Sequence, residues 1–413
     1  MQLSIMRKKT LYITVLFFTL IYIISFVDRQ IIAVLGVQIR DSLSLSNLQM
    51  GLLYGPVFSF IYAFSGIPMG RLADRVSRKG MICAGLFIWS AMTVFSGFAN
   101  TFLILILARL FVGVSQSMLS PAVYSYLADA FTPEKRATVF SVYASGIFIG
   151  IGLSFLVGGS VSLNYDWNTA LIVVGIPGLV LAPLVWFSLK EPERGERAVY
   201  AEPSMLSDIR EILGKQAVRW HLVGFSSLAC LGYTILGFAG NVFSDVFSAP
   251  EYIPMFGWFM FGVGGTVILS GKISDQLAVK NPSRRFWMPI LASVGGIPFY
   301  AAGLFAESAS VALPLIGCGV LISSSYNGVA AAILQYFVTS RQRALAGGLY
   351  LFVISIAGFG VGPPLTGWLT DAVFTGAYAV SYAIFSIVIV CGIISVISFL
   401  QAIRYYDTDA VRV

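Results

Sequence analysis

The feature that most limits how this chain can fold is a series of twelve long apolar stretches separated by short polar segments. A helix needs about 20 apolar residues to cross the hydrocarbon core of a bilayer, and these stretches have that length. Only 11% of the residues are charged, against about 25% in a typical soluble domain. Because helices satisfy their own backbone groups in lipid, we expect an all-α polytopic membrane protein. The predicted spans are residues 11–35, 47–69, 80–99, 101–127, 137–161, 168–189, 217–243, 252–271, 286–305, 309–336, 343–369 and 377–402.

The basic residues are distributed so unevenly that they predict the orientation of the chain. With the N-terminus inside, all but three of the 26 Lys and Arg residues fall in cytoplasmic loops or tails. The exceptions are Arg40 on the outer side, and Arg29 and Arg109 inside predicted spans. Cytoplasmic loops of membrane proteins carry an excess of Lys and Arg. We therefore expect both termini in the cytoplasm and a multi-pass protein of the bacterial inner membrane, with no nucleic-acid partner despite the net charge of +7.

One long polar interruption, from Lys190 to Lys215, divides the predicted spans into two groups of six. Two short elements occur once in each group. They are Gly70–Lys79 (GRLADRVSRK) with its copy Gly271–Asp275 (GKISD), and Glu134–Ala137 (EKRA) with its copy Arg341–Ala344 (RQRA). The expected organisation is an N-terminal six-helix bundle (1–190), a cytoplasmic linker (191–216), and a C-terminal six-helix bundle with a short tail (217–413).

The Gly70–Lys79 loop resembles the signature loop between helices 2 and 3 of the major facilitator superfamily. The resemblance implies two parallel repeats of six helices, alternating access and a substrate site near the bilayer midplane. It also implies a gate that closes the cytoplasmic side when the cavity opens outward, in which Asp74 faces the start of the eleventh span and Arg75 reaches Asp129. The residues assigned to this gate are Gly70, Asp74, Arg75, Asp129, Arg136 and Asp275.

Charged side chains within the spans are the main candidates for chemistry, because a charge at mid-membrane is costly and usually functional. Asp28 and Arg29 lie in the first span and Arg109 in the fourth, and no other Asp and no Glu falls deep in a span. One interpretation is a buried Asp28–Arg109 ion pair that only fixes helix packing. The other is a carboxylate that binds a proton as the cavity changes sides, while a nearby arginine favours its ionised form.

A narrower resemblance is carried by Phe26–Arg29 (FVDR) and Arg109–Gln116 (RLFVGVSQ). Both segments are similar to elements of the spinster-type lipid transporters, and the first also resembles the anion:cation symporters of sugar acids. These families usually place a Glu seven residues after the arginine of the fourth helix, where this chain has Gln116. Three explanations stay open: coupling through Asp28 alone, an uncoupled carrier, or an introduced substitution. The assigned proton-coupling residues are Asp28, Arg109 and Gln116.

Other polar residues are assigned to the substrate site or to packing. The assigned substrate-binding residues are Arg29, Arg109, Gln116, Asn241, Tyr326 and Asn327. For the last three, hydrogen bonding between helices is the alternative. His221, the only histidine, is expected to be solvated at the cytoplasmic start of the seventh span. The four cysteines are scattered through apolar runs, so we expect no disulfide, metal site or cofactor.

These features favour a monomeric, proton-linked secondary active transporter of a lysolipid, a sphingolipid-like molecule or another amphipathic anion. The second hypothesis is a proton-coupled symporter of small organic anions such as sugar acids. Every Lys and Arg between Trp220 and Ile403 lies in a predicted cytoplasmic loop, which favours a substrate with one charged end. The third hypothesis is a non-transporting membrane sensor. We expect no enzymatic activity, because the sequence contains no nucleophile–base pair and no metal-ligand cluster.

Overall fold

The computed structural model of this chain describes residues 8–191, 205–279, 281–339 and 342–410. Twelve helical segments in this part are long and apolar enough to cross a membrane, which confirms the expected all-α fold and number of spans. No strand occurs among these residues. In chain order, the spans α1 to α12 are Leu11–Val34, Asn47–Ala73, Arg78–Ser96, Phe102–Ala130, Thr138–Asn164, Trp167–Ser188, Gln216–Val246, Tyr252–Ala278, Pro282–Leu304, Ala309–Phe337, Leu345–Ala372 and Ala379–Arg404.

Several spans contain a local irregularity. Span α2 consists of two helices, Asn47–Tyr54 and Pro56–Arg75, which meet at Gly55. Single π-helical turns occur in α5, α7 and α11, and a 3-10 segment interrupts α10. They cover Ser154–Gly158, Val242–Val246, Ser355–Phe359 and Ser324–Gly328 respectively. Turns of this kind inside α-helices are frequent at functional sites. Shorter helices outside the spans cover Gly36–Ser42, Met205–Gly214 and Tyr406–Asp409.

The contacts divide the chain into two units, of which the first comprises Met1–Leu45 and Val57–Ala198. In this unit α1 packs along α5, and α3 packs along α4 and α6. Gly150 permits the close approach of α5 to α1, because a Cβ atom at this position would lie only 2.7 Å from the Cβ atom of Phe26. Small residues let membrane helices pack backbone to backbone. This contact holds the segment of α1 that contains Asp28 and Arg29 against the bundle.

The second unit comprises Ser46–Pro56 and Val199–Val413. Its most extensively packed pair is α7 with α12, and a buried hydrophobic cluster that includes Phe225, Phe286 and Phe399 joins these helices to α9. The first helix of α2 packs on α11 in this unit. A Cβ atom on Gly51 would lie 2.7 Å from the carbonyl carbon of Pro363, so this contact also requires glycine.

The position of His221 corrects the sequence-based expectation of a solvated residue. Its exposed fraction is 0%, and its ring lies 4.5 Å from that of Phe225 and 5.7 Å from that of Tyr350. Neither ring nitrogen has a hydrogen-bond partner within the described residues. The sequence did not show that the helix Met205–Gly214 covers this end of α7, where its Ile212 joins the same buried cluster.

Candidate functional site

Asp28 lies in the second half of α1 and is the only acidic side chain in the buried class among the described residues. Its Oδ1 atom accepts a hydrogen bond from the hydroxyl of Thr93 on α3. The Thr93 hydroxyl can donate a hydrogen bond to an ionised carboxylate, and it can also accept a hydrogen bond from a protonated one. No pattern in the sequence indicated Thr93, because a single threonine in an apolar span most often packs or bonds to its own helix.

Arg109 on α4 reaches α1, but it contacts the backbone rather than the carboxylate of Asp28. Its Nη1 atom donates to the carbonyl oxygen of Asp28 at 3.0 Å. The side chain is only 2% exposed, and its Nε and Nη2 atoms have no hydrogen-bond partner in the described part of the chain. The direct ion pair considered from the sequence is therefore replaced by a guanidinium–carbonyl contact. Its charge still acts on the nearby carboxylate through space.

Arg29 differs from Arg109 in being only half-buried. Its guanidinium carbon lies 4.6 Å from the ring centre of Phe26, 4.7 Å from that of Phe58 and 4.6 Å from that of Tyr62. A cation over an aromatic face is stabilised by about 0.5–2 kcal/mol, depending on desolvation. The three rings from α1 and α2 thus form an aromatic cage that orients this cation without neutralising its charge.

Gln116 completes the surroundings of Arg29. Its Oε1 atom accepts a hydrogen bond from Nη2 of Arg29 at 3.3 Å, and its Nε2 atom donates to the carbonyl of Ser25 at 3.3 Å. A glutamate here would form an ion pair with Arg29, whereas the amide leaves the positive charge uncompensated. The structure therefore brings Asp28, Arg29, Arg109 and Gln116 together, with Arg29 as the more accessible cation.

Aromatic side chains continue from this cation along α1 and α5. Tyr22 contacts Phe26 edge to face at 5.0 Å and stacks on Tyr143 at 4.1 Å, and Tyr143 in turn meets Tyr124 at 5.5 Å. Tyr22 is half-buried and Tyr124 is exposed. This tyrosine row was not predicted, because aromatic residues in spans most often face lipid or pack. Tyr143 is fully buried, so Tyr22 on α1 and Tyr124 on α4 are the members that offer accessible ring surface with polar tips near the fixed positive charge.

The three candidates in the second unit have separate environments. Asn241 is buried, and its Nδ2 atom donates to Asp245 at 3.0 Å and to Asn47 at 3.4 Å. Tyr326 is buried and its ring lies 5.6 Å from that of Phe225. Asn327 is exposed and donates to the carbonyl of Ser324. The packing alternative thus fits Asn241 and Tyr326, and Asn327 keeps an accessible side chain.

The predicted gate is only partly reproduced. Asp129 is paired with Arg78, which also donates through Nε to Glu191 at 2.9 Å. Arg75 is exposed and the expected Arg75–Asp129 contact is absent. Arg78 is the first residue of α3, so its side chain projects back beside the ends of α4 and α6, while Arg75 ends the preceding helix and points away. The side chain of Asp74 lies outside the described residues.

The remaining gate candidates make local contacts. Arg136 donates from Nε to the carbonyl of Phe131 at 3.1 Å. Asp275 pairs with Arg285 at 2.8 Å and is mostly exposed. A Cβ atom on Gly70 would meet no atom within 4 Å, so close packing does not require glycine there. None of these contacts, taken alone, distinguishes a gate from ordinary loop structure.

Glu191, which the sequence reading did not assign, is the anchor of the network around Arg78. Its carboxylate accepts hydrogen bonds from the backbone N–H groups of Arg78 and Lys79 and from the hydroxyl of Ser77. Burial alone would raise the pKa of Glu191, but these hydrogen bonds and that from the Arg78 side chain outweigh it and lower the pKa below its ordinary value. Ser77 directly before a helix is an N-cap signal that the sequence does contain.

Comparison with known proteins places this geometry in a family. A solved bacterial homologue of the human lysosomal transporter Spinster, inward-facing and unoccupied, is 25% identical and superposes with a TM-score of 0.86 over 98% of this chain and 99% of the other. An MFS-type efflux pump of Mycolicibacterium smegmatis is 26% identical over 94% of this chain and 92% of its own length. A hexuronate transporter of Bacillus subtilis is 24% identical over 88% and 89%.

Residues 18–360 match the major facilitator superfamily, and this match covers the caged arginine, the buried aspartate and the signature loop. No group of three or more His, Cys, Asp or Glu side chains in the described part of the chain is placed to hold a metal ion. Twelve spans, a spinster-like fold and this match agree with one another. The chain belongs to the major facilitator superfamily of membrane transporters.

Proposed function

We propose that this transporter moves an amphipathic anion by alternating access, linked to protons through Asp28, with both termini on the cytoplasmic side. The observation that carries the proposal is the uncompensated charge of Arg29 in its aromatic cage, one residue from a buried carboxyl group. The cation suits an anionic headgroup, and the tyrosine row beside it suits an apolar body. Consecutive residues of a helix point about 100° apart, so proton and headgroup have separate positions on α1.

Similarity to a sphingosine-1-phosphate transporter of Xenopus tropicalis supports a lipid-like substrate, and similarity to a hexuronate transporter supports a small organic anion. The charges favour the first. Among the described residues of the second unit, no Lys or Arg belongs to the buried class. A sugar acid carries several hydroxyl groups besides its carboxylate, and each needs a polar partner when it is buried, whereas a lysolipid or sphingolipid-like anion needs one charged contact and apolar surface.

The first experiment measures uptake into proteoliposomes across a panel of lysolipids and sugar acids, with the parent protein and Arg29→Gln. A charged hydrogen bond contributes about 1.5–3 kcal/mol, so Arg29→Gln should weaken the apparent substrate affinity roughly 10- to 100-fold. Arg40→Gln is the matched control, since Arg40 belongs to the same unit and pairs with its sequence neighbour Asp41. Equal transport by the parent and Arg29→Gln would refute the assignment, and uptake of sugar acids alone would select the second function.

The second experiment tests proton linkage. Asp28→Asn should remove the pH dependence of transport, because no other buried carboxyl group is found in the described residues. Gln116→Glu should strengthen the pH dependence of transport, since it introduces a titratable group within reach of Arg29. It should also lower substrate affinity, because the new carboxylate competes with the headgroup for the guanidinium. A full pH response in Asp28→Asn would show that Asp28 is only a structural partner of Thr93.

A further inference from the structure

The second helix of α2, Pro56–Arg75, exposes one continuous stripe of side chains that the proposed transport site does not use. Its members are Phe60, Phe64, Ile67, Pro68, Arg71 and Arg75, and all of them are exposed. At 100° per residue they fall within an arc of about 100°, so they form one face of the helix. We call this face the α2 stripe. Phe64 and Ile67 are 60% and 50% exposed.

The basic end of the α2 stripe contains two cations without partners. Neither Arg71 nor Arg75 has a hydrogen bond or an ion pair to any described residue, unlike Arg78 in the same loop. They are one helical turn apart and line a groove of about 360 Å³ together with Ile67, Pro68 and Leu72. Two guanidinium groups at this spacing can both reach one phosphate, which Arg binds through paired N–H donors.

The length of the stripe matches one leaflet of a bilayer. From Phe60 to Arg71 there are eleven residue steps of 1.5 Å, or about 16 Å along the helix. One leaflet contributes about 15 Å of hydrocarbon. A lipid whose headgroup lies at Arg71 and Arg75 would therefore extend its acyl chains along Ile67 and Phe64 to the level of Phe60.

We propose that the α2 stripe is a binding site for an anionic phospholipid of the adjacent leaflet, with its phosphate held by Arg71 and Arg75. Charge complementarity selects an anionic headgroup, and the apolar remainder of the stripe selects an intact lipid rather than a water-borne phosphate. The site also gives a role to Arg75, which does not contact Asp129. It is separate from Arg29, so it does not depend on the proposed substrate.

The test uses the full-length protein in phosphatidylcholine nanodiscs that contain a low fraction of photoactivatable phosphatidylglycerol, followed by mapping of the crosslinked peptide. Each arginine near a charged headgroup contributes about 5-fold in affinity, so Arg71→Gln should lower labelling of the segment 60–75 about 5-fold and Arg71→Gln/Arg75→Gln roughly 30-fold. Arg210→Gln/Arg219→Gln, which removes two exposed arginines from the second unit, should leave this labelling unchanged. Phe64→Ala/Ile67→Ala should reduce it several-fold.

Labelling of the segment 60–75 that persists in Arg71→Gln/Arg75→Gln, or that falls equally in the control, would overturn the proposal. So would equal labelling by photoactivatable phosphatidylcholine. An excess of soluble glycerol 3-phosphate should not displace the lipid. If it does so completely, the site binds a free phosphate group and the lipid assignment is wrong.

Discussion

The replacement of Arg78 by methionine tests the network that joins the start of α3 to the ends of α4 and α6. The Arg78 side chain is 1% exposed and bonds to the carboxylates of Asp129 and Glu191. Its Nη1 atom also donates to the carbonyl of Ser125 at 3.3 Å. Methionine keeps most of the side-chain volume but removes every one of these hydrogen bonds. All four residues belong to the first unit.

The expected loss of unfolding free energy follows from the exposure of the partners. Breaking a buried ion pair destabilises by about 3–5 kcal/mol because the remaining charge stays buried. Here the side chains of Asp129 and Glu191 are 27% and 33% exposed, so water can solvate them after the change. We therefore expect Arg78→Met to cost about 3 kcal/mol, the lower end of that range. Arg78→Lys should recover part of the lost unfolding free energy, since lysine keeps the positive charge but lacks the planar guanidinium group with its paired donors.

The assay is equilibrium unfolding in mixed micelles of dodecyl maltoside and sodium dodecyl sulfate. Arg75→Gln is the matched control, because its side chain is exposed and exposed substitutions change stability by about 0.5 kcal/mol or less. A double-mutant cycle with Asp129→Asn should give a coupling energy above about 1 kcal/mol. If Arg78→Met were as stable as Arg75→Gln, the network would contribute nothing and our reasoning would fail.

Three further predictions concern single residues. Because the pKa of Glu191 is lowered in the folded state, the parent should be more stable than Glu191→Gln above the unfolded pKa of about 4.3. This difference in unfolding free energy should vanish as the pH falls through the folded-state pKa. A difference that stays constant with pH in unfolding titrations would contradict the prediction. Gly51→Ala should lower the thermal unfolding temperature, because its Cβ would overlap with Pro363, whereas Gly264→Ala, with no atom within 4 Å of its Cβ, should not. His221→Phe should match or exceed the parent in stability, since it removes two buried nitrogens that have no hydrogen-bond partner among the described residues. A loss above about 2 kcal/mol would contradict this.

The spans and the membrane-embedded charges could be predicted from sequence because they follow from local rules. A run of about 20 apolar residues implies a helix whatever it packs against, and a charge inside it must be buried or face a cavity. Asp28 and Arg29 were found in this way. Their partners were not, since Thr93 and Phe58 lie on other helices and carry no signal of their own. The partner of a buried group depends on helix rotation, which hydropathy does not determine.

The two corrected expectations have the same origin. Arg75 and Arg78 are equivalent in a count of basic loop residues, but they lie on opposite sides of a helix boundary, and only Arg78 projects into the bundle. His221 lies close to the start of its span, so a hydropathy profile assigns it to the interface. The ring of Tyr350, on α11, packs against it and helps to exclude water. For Arg78 and His221 alike, contacts with other helices determine whether the side chain is buried, and the neighbouring sequence does not.

The charges around α1 also determine the sign of the proposed coupling. Asp28, Arg29 and Arg109 are the charged residues away from the span ends of the first unit, and Gln116 adds no charge. Their sum is +1 with Asp28 ionised and +2 with Asp28 protonated, so a proton on Asp28 strengthens the attraction of Arg29 for an anionic headgroup. Linkage makes this effect reciprocal, and the bound anion favours the protonated carboxyl group equally. Because proton and substrate promote rather than exclude each other's binding, the proposed carrier is expected to move them in the same direction.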